Sequence, residues 1–392
     1  MTAPLLLLCM LPALPQAAEP ATPAVERPLQ HLGSCWAARR DVSDVHGQSP
    51  SSIAADALGV RHVAYTADTY GFAVYYQSSA DGLHWNGALI VPGSEDVGWL
   101  CTPEVECDGA RTYITWFGSR GLEVTWTEDR GATFAPVLAA DPSAPGGLEM
   151  DVTVDRWGAL HIAWAAIGQK LYYIRSLAAR MPGGAPSGDP VFLPAQHLVF
   201  EDGTVEPDVR VGVDDEGFVS LAWIAWPGSY PPRVRFTRAY QGFGFPPSLD
   251  LDDTLEYLQL AVAPDGPITI VYRKMVHYDQ AVYTLVSTDG GESFERPYKQ
   301  TPRDNAYLSP RQCVRVGRDG LIHAIWYEKW KPGYYADPTY AESRDYGRTF
   351  PRRDHIADQS IYPGVSYPGL AVTPDGVKCM IEAANYYTQC RW

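Results

Sequence analysis

The sequence predicts an all-β fold: a seven-bladed β-propeller, with a six-bladed ring as the alternative. Three observations carry that prediction. A turn motif occurs four times, at Ser79–Trp85, Thr127–Phe134, Ser287–Phe294 and Ser343–Phe350. Its pattern is Ser/Thr-x-Asp-x-Gly-x-Ser/Thr-aromatic, and the first copy is one residue short. A longer unit also recurs: an apolar strand, an Asp turn and a second strand ending in an aromatic. The turn aspartates are Asp56, Asp108, Asp155, Asp214, Asp265, Asp319 and Asp375, spaced by 52, 47, 59, 51, 54 and 56 residues, near the period of known propeller repeats. Finally, 35 glycines, 33 prolines, 12 tryptophans and 24 tyrosines suit a turn-rich all-β chain.

Each element follows from its residues. In the turn motif, the Asp and Ser/Thr side chains bond nearby backbone N–H groups, Gly takes positive φ, and the aromatic plugs the turn onto the sheet. The second strands end alike, as in Val63-Ala64-Tyr65, Ile114-Thr115-Trp116, Ile162-Ala163-Trp164, Leu221-Ala222-Trp223 and Ala324-Ile325-Trp326. Period-2 strands between Gly, Asp and Pro turns read as four-stranded blades around an axis. The third and fourth units lack the motif. The seventh runs out of chain after Asn385-Tyr386-Tyr387, so a segment near 29–40 is expected to supply its outer strand. Closing the ring removes the sheet edges that an open one would expose.

The four turns resemble the Asp box of sialidase-like (BNR-repeat) β-propellers. The resemblance spans about residues 45–390. It makes Asp81, Asp129, Asp289 and Asp345 structural clips.

The unbroken repeat argues for one domain over 29–392, after a secretory signal over 1–18 and an Ala/Pro-rich linker over 19–28. The apolar run from Leu5 to Leu11 is too short to span a bilayer. A secreted or periplasmic protein is expected. A net charge of −15 argues against nucleic acid or an anionic membrane as main partner. A glycan ligand and a monomer are expected. Without the signal, six cysteines remain: Cys35, Cys101, Cys107, Cys313, Cys379 and Cys390. Cys35 and Cys390 lie in the segments that should meet at ring closure and are expected to pair. The other four read equally well as buried thiols. No cysteine spacing marks a metal site, and no cofactor is implied.

A residue that recurs at one repeat position is architectural. His62, His161 and His323, each three residues before a terminal aromatic, belong to that class. Function is expected in what does not repeat, on loops at one face of the ring. In propellers that face is the one where innermost strands begin. Polar residues of the innermost strands that converge there are Gln48, Glu149, Glu206, Asp208, Tyr257, Arg311 and Tyr367, and Glu104, Asp151, Arg210 and Arg315 share their register. Carboxylates facing arginines suit acid–base chemistry and anion recognition, or else pair with one another as a central network. The loops of this face add His46, Asp68, Tyr70, Trp226, Tyr230, Arg273, His277, Tyr278 and Trp330. Aromatics among them suit sugar faces.

The resemblance implies a glycoside hydrolase acting on an acidic or otherwise decorated glycan. In chain order, Asp68 falls where the family acid/base Asp is expected, Glu206 lies mid-chain, Arg273 and Arg311 follow, and Tyr362 or Tyr367 comes near the end. His46 and Asp208 complete the catalytic candidates. Gln48, Tyr70, Glu149, Trp226, Tyr230, Arg273, His277, Arg311 and Trp330 are the substrate-binding ones. The family's opening Arg-Ile-Pro is matched by Gln48-Ser49-Pro50, so its first carboxylate-binding arginine is replaced. A looser resemblance, to propeller-type polysaccharide lyases, would use His46, Tyr70, His277, Tyr278 and Arg311 on a uronate glycan. A non-catalytic glycan- or protein-binding propeller is the third reading. A hydrolase needs two carboxyl groups across a pocket. A lyase needs His or Tyr beside Arg or Lys.

Overall fold

The computed structural model describes residues 40–41, 52–68, 72–95, 97–98, 101–109, 111–144, 147–166, 170–177, 188–198, 204–228, 231–254, 256–276, 279–301, 313–317, 319–328, 337–356, 368–382 and 386–390. These form seven four-stranded antiparallel sheets and no helix. The innermost strands, in chain order, are Ser52–Ala55, Glu104–Cys107, Gly147–Val154, Thr204–Val213, Glu256–Val262, Cys313–Val316 and Gly369–Val372. Each lies against the innermost strand of the next sheet, and the last lies against the first. The outer position of the last sheet is taken by Arg40–Asp41, antiparallel to Tyr386–Cys390. The closing segment is thus contributed by the N-terminal side of the chain. The expected signal over 1–18, the expected linker over 19–28 and residues 29–39 lie outside the described residues.

The turn motifs are clips, as their chemistry requires. In the second copy Thr127 Oγ1 accepts from Gly131 N–H at 2.8 Å, while Asp129 Oδ1 accepts from Thr133 N–H at 2.8 Å. The third and fourth repeat this through Ser287 and Asp289 and through Ser343 and Asp345. In the short first copy, Asp81 Oδ1 takes Leu83 and His84 N–H. The clips also bind neighbouring sheets together: Phe134 meets Tyr76 edge-on at 5.6 Å, and Phe294 meets Phe236 at 5.0 Å. A Cβ on Gly131 would sit 2.5 Å from the Tyr76 ring, at a φ of +89°. Gly131→Ala is therefore expected to destabilise the fold by more than about 1 kcal/mol. Gly376→Ala shares the positive φ but meets open space, so urea unfolding of both variants separates clash from backbone strain.

The recurrent histidines are architectural. His62, His161 and His323 are buried and hydrogen-bond through Nδ1 to Tyr76, Tyr173 and Tyr340, at 2.7, 2.7 and 2.6 Å. Their Nε2 atoms face the turn residues Asp56, Asp155 and Asp319. Burial holds His161 and His323 below the ordinary histidine range. The second-strand aromatics Trp116, Trp164, Trp223 and Trp326 are fully buried. Packing between sheets is thus built from one repeated set of large residues.

Cys101, Cys107, Cys313 and Cys379 are thiols, all buried except the half-buried Cys107. Burial pushes Cys101 up to about 12 and raises Cys107 and Cys313, which makes them poor nucleophiles. Cys390 ends the strand that pairs with Arg40–Asp41, whereas Cys35 lies outside the described residues. Their pairing stands as an expectation, to be checked by non-reducing peptide mapping.

Candidate functional site

Strand pairing decides which chain ends share a face. Gly147 lies opposite Ala166, Thr204 opposite Trp226, and Glu256 opposite Arg273. The starts of innermost strands and the ends of second strands therefore meet at one face. The Asp-box turns follow the third strands, at the other. Asp68 ends its strand on the first face, and Glu206 is near the start of its innermost strand; for both, the structure describes the backbone position only. His46, Gln48, Tyr70, Tyr230, His277, Tyr278, Arg311, Trp330, Tyr362 and Tyr367 lie outside the described residues. Trp226 is half-buried, while Glu149, Asp208 and Arg273 are buried.

Three innermost strands depart from regular pairing at this face. The register shifts between Gly147 and Glu149, between Val205 and Val209, and between Glu256 and Leu258. Such bulges re-aim side chains. Here they concentrate irregular backbone over the third, fourth and fifth sheets.

Arg210 organises the carboxylates below those bulges. Its guanidinium lies 3.0 Å from Asp208 Oδ1 and 3.5 Å from Glu149 Oε2, with all three side chains 8% exposed. Asp208 Oδ2 accepts Leu258 N–H of the next sheet at 2.9 Å. Asp151 Oδ2 accepts Val211 N–H at 2.7 Å. In the second sheet, Glu104 accepts from Ser52 Oγ of the first at 2.7 Å. The polar register of the innermost strands thus ties each sheet to a neighbour. Glu149 and Asp208, expected to bind and act on substrate, are held in this network. Although burial opposes it, Asp208 and Asp151 raise Arg210 above the ordinary arginine range.

Further along the axis, away from this face, a cavity of about 250 Å³ is lined by Glu106, Asp151, Thr153 and Arg315 among alanines and valines. Burial pushes Glu104 and Glu106 each up to about 7, with Asp151 adding repulsion. The folded state thus holds protons that an unfolded glutamate releases near pH 4.5. Stability from this source is complete below that value and is lost as pH rises through about 7. The melting temperature is expected to fall between about pH 5 and about pH 8, and to fall less in Glu106→Gln. A profile equally steep in that variant would remove the glutamate from the account.

Arg273 and Tyr257 form a further described cluster at the face where the innermost strands begin. The guanidinium carbon of Arg273 lies 5.4 Å from the Tyr257 ring centroid. Lys274 bonds Asp252 of the preceding sheet at 2.6 Å, and Tyr272 donates to the same carboxylate. Lys274 therefore clasps two sheets together, while Arg273 turns to the tyrosine. Tyr257 was visible in sequence as part of the polar register, but nothing there marked it above its neighbours. Among the described residues, no group of three or more His, Cys, Asp and Glu could hold a metal ion. No described helix is long and apolar enough to cross a membrane.

No known protein-family model matches the chain, and no curated protein matches its sequence. Solved structures match in fold. An ulvan lyase bound to -[GlcA(1-4)Rha3S]- aligns with a TM-score of 0.54 at 12% identity, covering 89% of this chain and 94% of that one. AofleA from Arthrobotrys oligospora aligns at 0.50 and 10% identity, covering 89% and 92%. The Hadza microbial sialidase Hz136 aligns at 0.46 and 13%, covering 90% and 68%. At these identities the likeness shows the fold alone, a β-propeller, which in this chain carries Asp-box turns.

Proposed function

We propose that this is a secreted, glycan-active enzyme that cleaves an acidic polysaccharide by elimination, at the face where the innermost strands begin. The observation that carries the reading is the pairing of Tyr257 with Arg273 at that face. Elimination needs a cation near the uronate carboxylate and a base for the adjacent C–H. In this reading Arg273 stabilises charge that develops on the carboxylate. Tyr257, acting as its phenolate, takes the C5 proton, the C4–C5 double bond forms, the glycosidic C4–O bond breaks, and the tyrosine hydroxyl returns that proton to the leaving oxygen. Trp226 offers an apolar surface for a sugar ring. Support for secretion is the apolar N-terminal run.

Hydrolysis is the second reading. It is favoured by the topology that brings Asp68 and Glu206, both candidate acids, to the same face. Glu149 and Asp208 suit that chemistry less, because both are tied to Arg210. Incubation with ulvan and other uronate polysaccharides separates the readings. Elimination raises reducing ends and unsaturated-uronate absorbance together, whereas hydrolysis raises reducing ends alone. Binding without either product would make the chain a non-catalytic glycan binder.

A further inference from the structure

Four non-glycine residues have positive φ among the described ones: Arg130, Gln241, Tyr257 and Tyr346. Three are accounted for by the repeat. Arg130 and Tyr346 directly precede the glycines of Asp boxes, and Gln241 precedes Gly242, which packs on Tyr173 as Gly131 packs on Tyr76. Tyr257, with φ of +56°, has no counterpart among the described residues. A bulky side chain rarely adopts this conformation without support. The support is visible on both sides. Glu256 pairs with Arg273 and Leu258 with Tyr272, so Tyr257 is the extra residue of a bulge. Leu258 N–H is held by Asp208 Oδ2 from the fourth sheet. Thr254 Oγ1 donates to the Arg273 carbonyl at 2.9 Å. The Arg273 guanidinium lies over the tyrosine ring.

We propose that Asp208 is a positioning residue: its hydrogen bond to Leu258 latches the bulge and presents Tyr257 to a carboxylate-bearing sugar at the ligand face. The inference rests on the elimination reading for the role of Tyr257, but the latch itself can be tested without substrate. Arg210 secures the carboxylate from its other oxygen, so the latch is a chain from Arg210 through Asp208 to the backbone of the fifth sheet. A strained residue with no counterpart among the described residues points to a role at this face rather than to the packing of the repeat.

The test uses the full chain and three variants. In a crystal structure of Asp208→Ala, Tyr257 is expected to relax to negative φ, and a Tyr257 still at positive φ would overturn the latch. Should that variant fail to fold, Tyr257→Gly decides. Glycine adopts this φ without strain, so its melting temperature is expected to equal or exceed that of the wild type. A drop of more than about 4 °C, the scale of a whole kcal/mol or more in a chain this large, would show that the tyrosine packs for stability and would overturn the proposal. On whichever uronate polysaccharide the wild type cleaves, Asp208→Asn is expected to lower kcat about 10- to 100-fold with KM nearly unchanged, as for other residues that orient a reacting group. Absence of wild-type cleavage would defeat the elimination reading alone, leaving the structural and thermal outcomes to judge the latch.

Discussion

Arg210→Ala is expected to destabilise the protein by about 3–5 kcal/mol, among the largest losses available from one side chain. The guanidinium contacts Asp208 at 3.0 Å and Glu149 at 3.5 Å, and all three groups are nearly closed to water. Removing it leaves two carboxylates buried together without that cation. It also loosens Asp208, whose other oxygen holds Leu258 of the next sheet. Urea unfolding monitored by tryptophan fluorescence measures the loss directly. A change below about 1 kcal/mol would place the pair in the weak, solvent-screened class of ion pairs. Glu149→Gln is expected to cost less than Arg210→Ala, because Asp208 still faces the arginine.

Tyr257→Phe is expected to reduce polysaccharide cleavage by about 10²–10⁴-fold, the usual span for loss of a general acid–base group. The substitution removes only the hydroxyl, so the ring, the bulge and the contact with Arg273 persist and thermal stability should stay near the wild-type value. Arg273→Lys keeps the charge but loses the planar fork that stacks and chelates. Its cleavage should also fall, with thermal stability near the wild-type value. Equal turnover in wild type and Tyr257→Phe would remove the tyrosine from the chemistry and return attention to Asp68 and Glu206.

The candidate site was partly legible from the chain. Alternation along the innermost strands picked out Glu149, Asp208, Arg210 and Tyr257 as one polar register, because a strand sends successive side chains to opposite sides. The same register also contains residues whose use is structural, such as Asp151 bonded to Val211 N–H. Parity cannot distinguish a carboxylate that faces substrate from one that faces a neighbouring sheet. Arg273 and Trp226 were legible as second-strand ends. That Lys274, adjacent to Arg273, instead clasps Asp252 was not legible, because Asp252 lies 22 residues away on the sheet before it.

By itself, the sequence determined what short-range chemistry encodes. The Asp-box turns close through bonds between residues two to four apart, such as Ser287 Oγ to Asp289 and Gly291 N–H to Ser287 Oγ. Residues so close in the chain meet whatever the rest of the molecule does, so motif and repeat predict them. The architectural histidines followed from the same periodicity. Only the tertiary structure decided the contacts between sheets. Asp208 reaches Leu258 across 50 residues and Asp151 reaches Val211 across 60. Such partners come into range only when the sheets pack around the axis. The positive φ of Tyr257 belongs to the same class: no local residue demands it, and it exists because the hydrogen bond between Asp208 of the fourth sheet and Leu258 holds the bulge against the tyrosine's own backbone preference.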